Sequence, residues 1–267
     1  MKNNSVKITT SAKIILTISI ILIIIALYNI CNITTEYNEA EYEYSQLINE
    51  NIKTVEVEID NTGSEISNTD KIQNQNKDEK KFTYEVDLNS LKKINKDTVG
   101  WIILADTEIN YPIVQTDNND KYLNTTFEGK TNKAGAIYLD MNSNIDDKMS
   151  NLIIYGHNMK NGTMFRHLND LVNLEYFEKH KVFNIDLGNG FKEYEIISCY
   201  ETTNTDLNSW RISFNSTEDY ENWLTSISNR CGHPCMKYDS AKQTVILSTC
   251  RGRSGGNGRF VVYLQER

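Results

Sequence analysis

The chain has 267 residues, 39% of them apolar and 10% aromatic, which is enough for a sizeable core. Its formal charge of −8 argues against a nucleic-acid partner. The acidity is local: residues 36–80 hold 12 acidic and 4 basic side chains, whereas residues 81–267 hold 24 and 21, so the part that folds is nearly neutral.

The stretch "KIILTISIILIIIALYNI" (13–30) is almost continuous Ile and Leu and is long enough, as a helix of about 17 to 20 residues, to cross a bilayer core. Lys2, Lys7 and Lys13 precede it and Glu36, Glu39, Glu41 and Glu43 follow, which predicts a cytoplasmic N-terminus and everything after residue 30 outside. A cleaved signal peptide would need small residues after the apolar run, and "ALYNICN" offers bulky ones. A lipid-modified Cys31 would want a small residue where Ile30 stands. The expected division is a cytoplasmic N-terminus at 1–13, a transmembrane anchor at 14–30, an acidic extracellular stem at 31–81 and a folded unit at 82–267. Within the stem, Tyr37, Ala40, Tyr44, Leu47 and Ile48 have helical spacing, and "NTGSEISNTDKIQNQNKDEKK" (61–81) reads as a flexible spacer.

From Phe82 the pattern becomes globular. Asp87 is placed to cap a short helix carrying Leu88, Leu91 and Ile94. Eight strands follow: 101–104, 110–114, 136–139, 151–155, 181–186, 192–202, 244–250 and 259–265. Eight short strands with turn-like connections predict a mainly β fold, a closed or nearly closed barrel without exposed edges. Two helical stretches interrupt them. "GTMFRHLNDLVNLEYFEKH" follows the fourth strand. "STEDYENWLTSISNRC" lies between the sixth and seventh, with Tyr220, Trp223, Leu224 and Ile227 on one face and Ser216 as its cap.

Besides Cys31, the chain has four cysteines, which as an extracytoplasmic set could form two disulfides. Cys231 and Cys235 in "CGHPC" close a small disulfide loop or stay unpaired; a metal site there would need a fourth ligand besides His233. Cys250 differs because it ends the apolar strand "TVILSTC" before a glycine-rich loop that leaves room for a substrate backbone. A thiolate nucleophile needs a base and an electropositive setting. His167 and His180 read as surface or packing residues and His233 is held in its turn, whereas His157 closes "NLIIYGHN" at the end of another buried strand. Arg259 opens the last strand, across the hairpin from Cys250, where a guanidinium can hold a carbonyl or an oxyanion. Arg251 and Arg253 read as exposed hairpin residues. Alternation places Ser248 on the face of Cys250, as a substrate contact or a packing residue.

"YGHNMKNGTMF", "VILSTC" and "GRFVVYLQ", with the upstream "VGWIIL", "INYPIVQ" and "YLNTTFEGKTNKAGAIYLD", resemble the sortases, membrane-anchored cysteine transpeptidases of Gram-positive bacteria. The helix ahead of the barrel and the helix before the seventh strand resemble class B. The resemblance covers 82–267 and implies a sortase-like eight-stranded barrel. It implies that Cys250 attacks a threonine carbonyl in an Asn-Pro-x-Thr-Asn/Gly type sorting signal of a secreted protein. His157 would then protonate the leaving amine. Arg259 would steady the oxyanion, with the backbone N–H after Cys250 as a second donor. A peptidoglycan or pilin amine would take the acyl group. No cofactor is implied, and no cluster of calcium ligands is apparent. Two departures stand out: Ile246 replaces a common Thr, and no acidic residue lies between 250 and 259 to orient His157. A purely hydrolytic thiol peptidase would use the same residues, and a tethered binding domain would leave Cys250 inert. An L,D-type transpeptidase places its His and Cys close together in sequence, whereas here 93 positions separate them.

Overall fold

In the computed structural model, residues 9–57, 81–148, 150–252 and 256–267 are described. Eight strands close the barrel: β3 (Thr98–Ile103), β4 (Asn110–Val114), β5 (Ile137–Leu139), β6 (Leu152–Tyr155), β7 (Val182–Asp186), β8 (Lys192–Thr203), β9 (Val245–Cys250) and β10 (Gly258–Glu266). Their order is β10-β8-β7-β3-β4-β5-β6-β9, and β9 pairs with β10 to close the ring. The pairs β4–β5 and β6–β9 are parallel, and the others are antiparallel. These are the eight expected strands, with ends displaced by a few residues.

Alternate residues of β9 and β10 divide between two clusters, as a period of two requires. Val245, Leu247, Phe260, Val262 and Leu264 join Trp101, Ile113 and Phe183 in the main core. Ile246, Val261 and Tyr263 join Tyr220, Trp223, Leu224 and Ile227 of helix α4 (Thr217–Ser228) on the other face. Ser216 caps α4 by accepting from Asp219 N at 3.1 Å. The Asp219 carboxylate accepts from Asn215 N at 3.0 Å, one residue ahead of the cap, and also pairs with Arg211. Helix α2 (Leu88–Ile94) is capped by Asp87 as expected.

The stretch after the apolar run departs from expectation. Helix α1 runs unbroken from Thr10 to Asn51. Its Ile- and Leu-rich part is exposed, and it is long and apolar enough to cross a membrane. Its last turns are no stem: Ala40, Glu43, Tyr44 and Leu47 are buried against the barrel at helical spacing. Tyr44 Oη donates to Gly135 O at 2.6 Å, and its ring meets Tyr111 edge-on. Glu43, acidic yet buried, accepts from Thr126 Oγ1 and from Glu128 N, both at 2.9 Å, with Lys130 Nζ at 3.3 Å. A buried carboxylate supplied with donors is tolerated, so acidity did not keep this segment in solvent. β1 (Ile52–Val57) then pairs antiparallel with β2 (Lys81–Val86). The expected spacer at 61–81 falls almost wholly outside the described residues.

The packed unit therefore begins near Glu36. Leu47 is 2% exposed. Leu47→Ala should lower unfolding free energy by about 2–5 kcal/mol, read from urea denaturation of the chain from Thr35 onward. A change under about 0.5 kcal/mol, typical of surface sites, would mean the helix does not dock in solution.

Candidate active site

The parallel β6–β9 pair sets the site. Tyr155 is level with Ser248, so His157 and Cys250, each two residues further on, leave the barrel at the same rim. On the other side of β9, Cys250 is the register partner of Arg259 on β10. Side chains opposite each other on an antiparallel pair share a face. Three residues far apart in sequence thus line one cleft of about 360 Å³.

The turn after β6 explains the placement of His157. Gly156 N donates to Ser248 O at 3.2 Å, which prolongs the ladder by one bond. A Cβ on Gly156 would lie 2.5 Å from Ile137 Cδ1 and 2.6 Å from Phe165 Cγ, so only glycine lets the chain pass there. Phe165 N then donates to His157 O at 2.9 Å, and Asn158 bridges Met164, which closes "HNMKNGTMF" into a loop.

His157 Nε2 lies 2.7 Å from Leu123 O. A carbonyl only accepts, so Nε2 carries the hydrogen, and in the neutral ring Nδ1 holds the lone pair. Leu123 O thus holds the ring as an acidic orienter would. The strand end is fixed in the same manner: Cys250 O accepts from Asn158 Nδ2 at 2.9 Å and from Asn169 Nδ2 at 3.5 Å.

Two expectations about the hairpin are corrected. The N–H after Cys250 is not a spare oxyanion donor, because Arg251 N donates to Gly258 O at 2.9 Å as the hairpin's closing bond. Nor is Arg251 an exposed arginine. It is half-buried, bonded to Asn169 O and Oδ1 at 3.2 Å and paired with Glu201 at 2.6 Å. Arg253 lies outside the described residues. Arg259 Nη1 donates to Gly256 O and Gly258 O, both at 2.9 Å, which anchors the guanidinium to its own loop through one of its nitrogens. The histidines set aside by sequence have other work. His167 pairs with Glu108 and Asp170, and His180 stacks on Tyr176 at 3.9 Å.

The cleft walls are aromatic. Tyr138 and Tyr155 pack with ring centroids 5.2 Å apart. Burial, reinforced by the Asp140 carboxylate, pushes both hydroxyls up, so they stay neutral. Opposite them stand Asn204, Leu207 and Trp210. Trp210 Nε1 donates to Ser248 Oγ at 3.1 Å, so the Ser248 hydroxyl ties this wall to β9.

Asp206 fastens the same wall. It accepts from Thr202 Oγ1 at 2.7 Å, Ser209 Oγ at 2.9 Å and Arg230 Nη1 at 2.6 Å. Burial alone would raise its pKa, but the hydrogen bonds from Arg230, Thr202 and Ser209 outweigh it and hold the carboxyl below its usual range. A depressed carboxyl contributes stability above its unfolded pKa of about 3.9 and loses that contribution as pH falls through the folded value. Asp206→Asn should therefore unfold at lower urea than wild type at pH 7. That gap should narrow as pH falls below about 4 and the folded carboxylate takes up its proton. A gap that stayed constant with pH would mean that the charge contributes nothing.

A family model for the sortase domain matches residues 102–267. The chain belongs to the sortase family. It is 36% identical over 178 residues to sortase B of Listeria monocytogenes, covering 66% of this chain and 72% of that protein. The identity with sortase B of Staphylococcus aureus is also 36%, over 162 residues, covering 60% of this chain and 66% of that one. Among solved structures, the Staphylococcus aureus sortase B–substrate complex is similar with a TM-score of 0.63 and 34% identity, over 67% of this chain and 84% of that chain. Bacillus anthracis sortase B gives 0.66 and 27%, over 88% and 100%. This sortase is of class B and is a cysteine transpeptidase.

Sequence reasoning missed several residues of the site. Leu123 acts through its carbonyl, which leaves no side-chain signal. Asn158 follows His157 directly and had a signal, a polar residue just past a strand end, that was not used.

Proposed function

We propose that this sortase cuts a C-terminal sorting signal of the Asn-Pro-x-Thr-Asn/Gly type in secreted proteins and joins the threonine to a cell-wall amine. The observation that carries the reading is the convergence of Cys250, His157 and Arg259 on one cleft. In this reading the Cys250 thiol passes its proton to His157, its sulfur attacks the threonine carbonyl carbon, and the carbonyl oxygen becomes an oxyanion. The Arg259 guanidinium, already beside Cys250 across the hairpin, stabilises that charge with the donors its loop contacts leave over. The C–N bond breaks as His157 delivers a proton to the departing amine, leaving a thioacyl-enzyme. An incoming amine gives its proton to His157 and displaces Cys250. Tyr138, Tyr155 and Trp210 enclose the signal's backbone between apolar walls, and Ser248 acts by holding Trp210 in place.

The apolar part of α1, residues 14–30, serves as a membrane anchor in this reading. Residues 1–13 are cytoplasmic and the catalytic barrel is outside, where secreted proteins and wall precursors pass. Since α1 continues into its docked turns without a break, anchor and barrel share one helix.

The test incubates the chain from Thr35 onward with a panel of sorting-signal peptides and a wall-type amine, with products read by mass spectrometry. A ligated product cut after threonine supports the reading and identifies the signal. Cleavage with water as the only acceptor would replace it with hydrolysis.

A further inference from the structure

Three cysteines that the reaction does not use meet on the far side of β8. Cys231 Sγ is 2.8 Å from Cys235 Sγ and 4.0 Å from Cys199 Sγ. The first distance lies well inside ordinary contact between two sulfurs, and outside the covalent bond of about 2.05 Å. Cys199 is buried in β8, while Cys231 and Cys235 are half-buried.

The position of these sulfurs has a structural reason. β7 pairs with β8 only as far as Val182 and Glu195, so the β8 edge beyond needs a cover. The segment after α4 supplies it: Met236 N donates to Ile196 O at 3.0 Å, and Cys231 Sγ accepts from Cys199 N at 3.4 Å. The intervening loop is tight, with Cys231 N on Ser228 O at 3.2 Å and Cys235 N on His233 O at 2.9 Å. His233 is turned away from the sulfurs. Its Nε2 donates to Leu171 O at 2.9 Å, and its ring packs on Phe177. Among the described residues no group of three or more His, Cys, Asp or Glu side chains is arranged to hold a metal. The chemistry open to the cluster is that of thiols.

We propose that Cys231 and Cys235 form a redox-active dithiol, separate from the catalytic cleft, that a low-molecular-weight disulfide oxidises to an internal bridge stapling the cover of β8. Cys231 is the attacking sulfur. It is the one with two thiols and a backbone N–H around it, and those hydrogen bonds hold its pKa low while Cys199 is pushed up. The Cys231 thiolate attacks one sulfur of the disulfide RSSR, whose S–S bond breaks, and RS⁻ leaves to take up a proton. Cys235 then loses its proton and attacks Cys231 Sγ, displacing the second RS⁻. The protein loses two electrons and two protons, and RSSR gains both as two RSH.

Trypsin should release Cys231 to Lys237 as one peptide, since Arg230 and Lys237 flank the pair. The full chain in detergent is reduced, treated with glutathione disulfide, alkylated without unfolding and digested. The expected result is that peptide lighter by two hydrogens and carrying no alkyl group, with the Cys199 peptide alkylated only after denaturation. Cys235→Ser should retain glutathione on Cys231, whereas Cys231→Ser should leave Cys235 without it. Full alkylation of Cys231 and Cys235 after oxidation, or a Cys199–Cys231 cross-linked peptide pair, would overturn the proposal. Glutathione on Cys235 in Cys231→Ser would overturn the choice of attacking sulfur.

Discussion

Cys250→Ala should reduce transpeptidation by about 10⁴-fold or more, to the background of the uncatalysed reaction, because no other group can form the acyl-enzyme. The fold should survive the change. Cys250 ends β9 with its side chain toward the cleft, and the bonds that secure it there are made by its backbone: the carbonyl accepts from Asn158, and the next N–H donates to Gly258 O. Loss of activity with an unchanged urea midpoint is thus the expected pair of results. Neither Cys199 nor Cys231 can substitute, since both lie on the opposite side of β8 from the cleft. Activity within tenfold of wild type would remove Cys250 from the mechanism, and with it the account of the cleft.

His157→Ala comes second, with an expected loss of about 10²–10⁴-fold, the range for a positioned general acid–base. Its signature distinguishes a proton carrier from a packing residue. Leaving-group protonation is needed to break the C–N bond of an amide, but far less to expel a good leaving group. A peptide ester carrying a phenolate in place of the scissile amine should therefore recover most of the lost acylation rate in His157→Ala. Equal damage with both substrates would sink the general-acid role and assign His157 to shaping the cleft. Leu123 O belongs to the same prediction, because it orients the ring without charge. The chain lacks an acidic residue between 250 and 259, and the structure supplies a carbonyl at His157 instead.

Cys250, His157 and Arg259 were legible for one reason. Each sits at or just past the end of a buried strand with a glycine within two residues, and such strand ends are where a sheet can present a side chain to a substrate. That they meet needed the register. Cys250 and Arg259 could be paired by assuming a hairpin, whereas the parallel alignment of β6 with β9 joins segments with no local connection. Most of the supporting set was not legible. Asn169, in the short 3-10 helix Arg166–Val172, and Arg251, in the hairpin loop, are polar residues that could equally have faced water. The hairpin of β1 and β2 was missed because its strands pair only with each other, and the described side chains of "KTVEV" and "FTYEV" are exposed or half-buried. Little burial leaves little hydrophobic period to read.

The sequence by itself determined the eight barrel strands, the α4 face and the three residues at the strand ends. Burial of alternate or helically spaced side chains is written into the chain as a local pattern. Only the tertiary structure decided that an acidic, stem-like stretch docks as helix, that a carbonyl orients His157, and that Cys199, Cys231 and Cys235 share one place. Each of these depends on groups brought together across tens of residues, and on whether a polar group finds its partner when water is removed. That choice is made by the assembled barrel, and no local spacing records it.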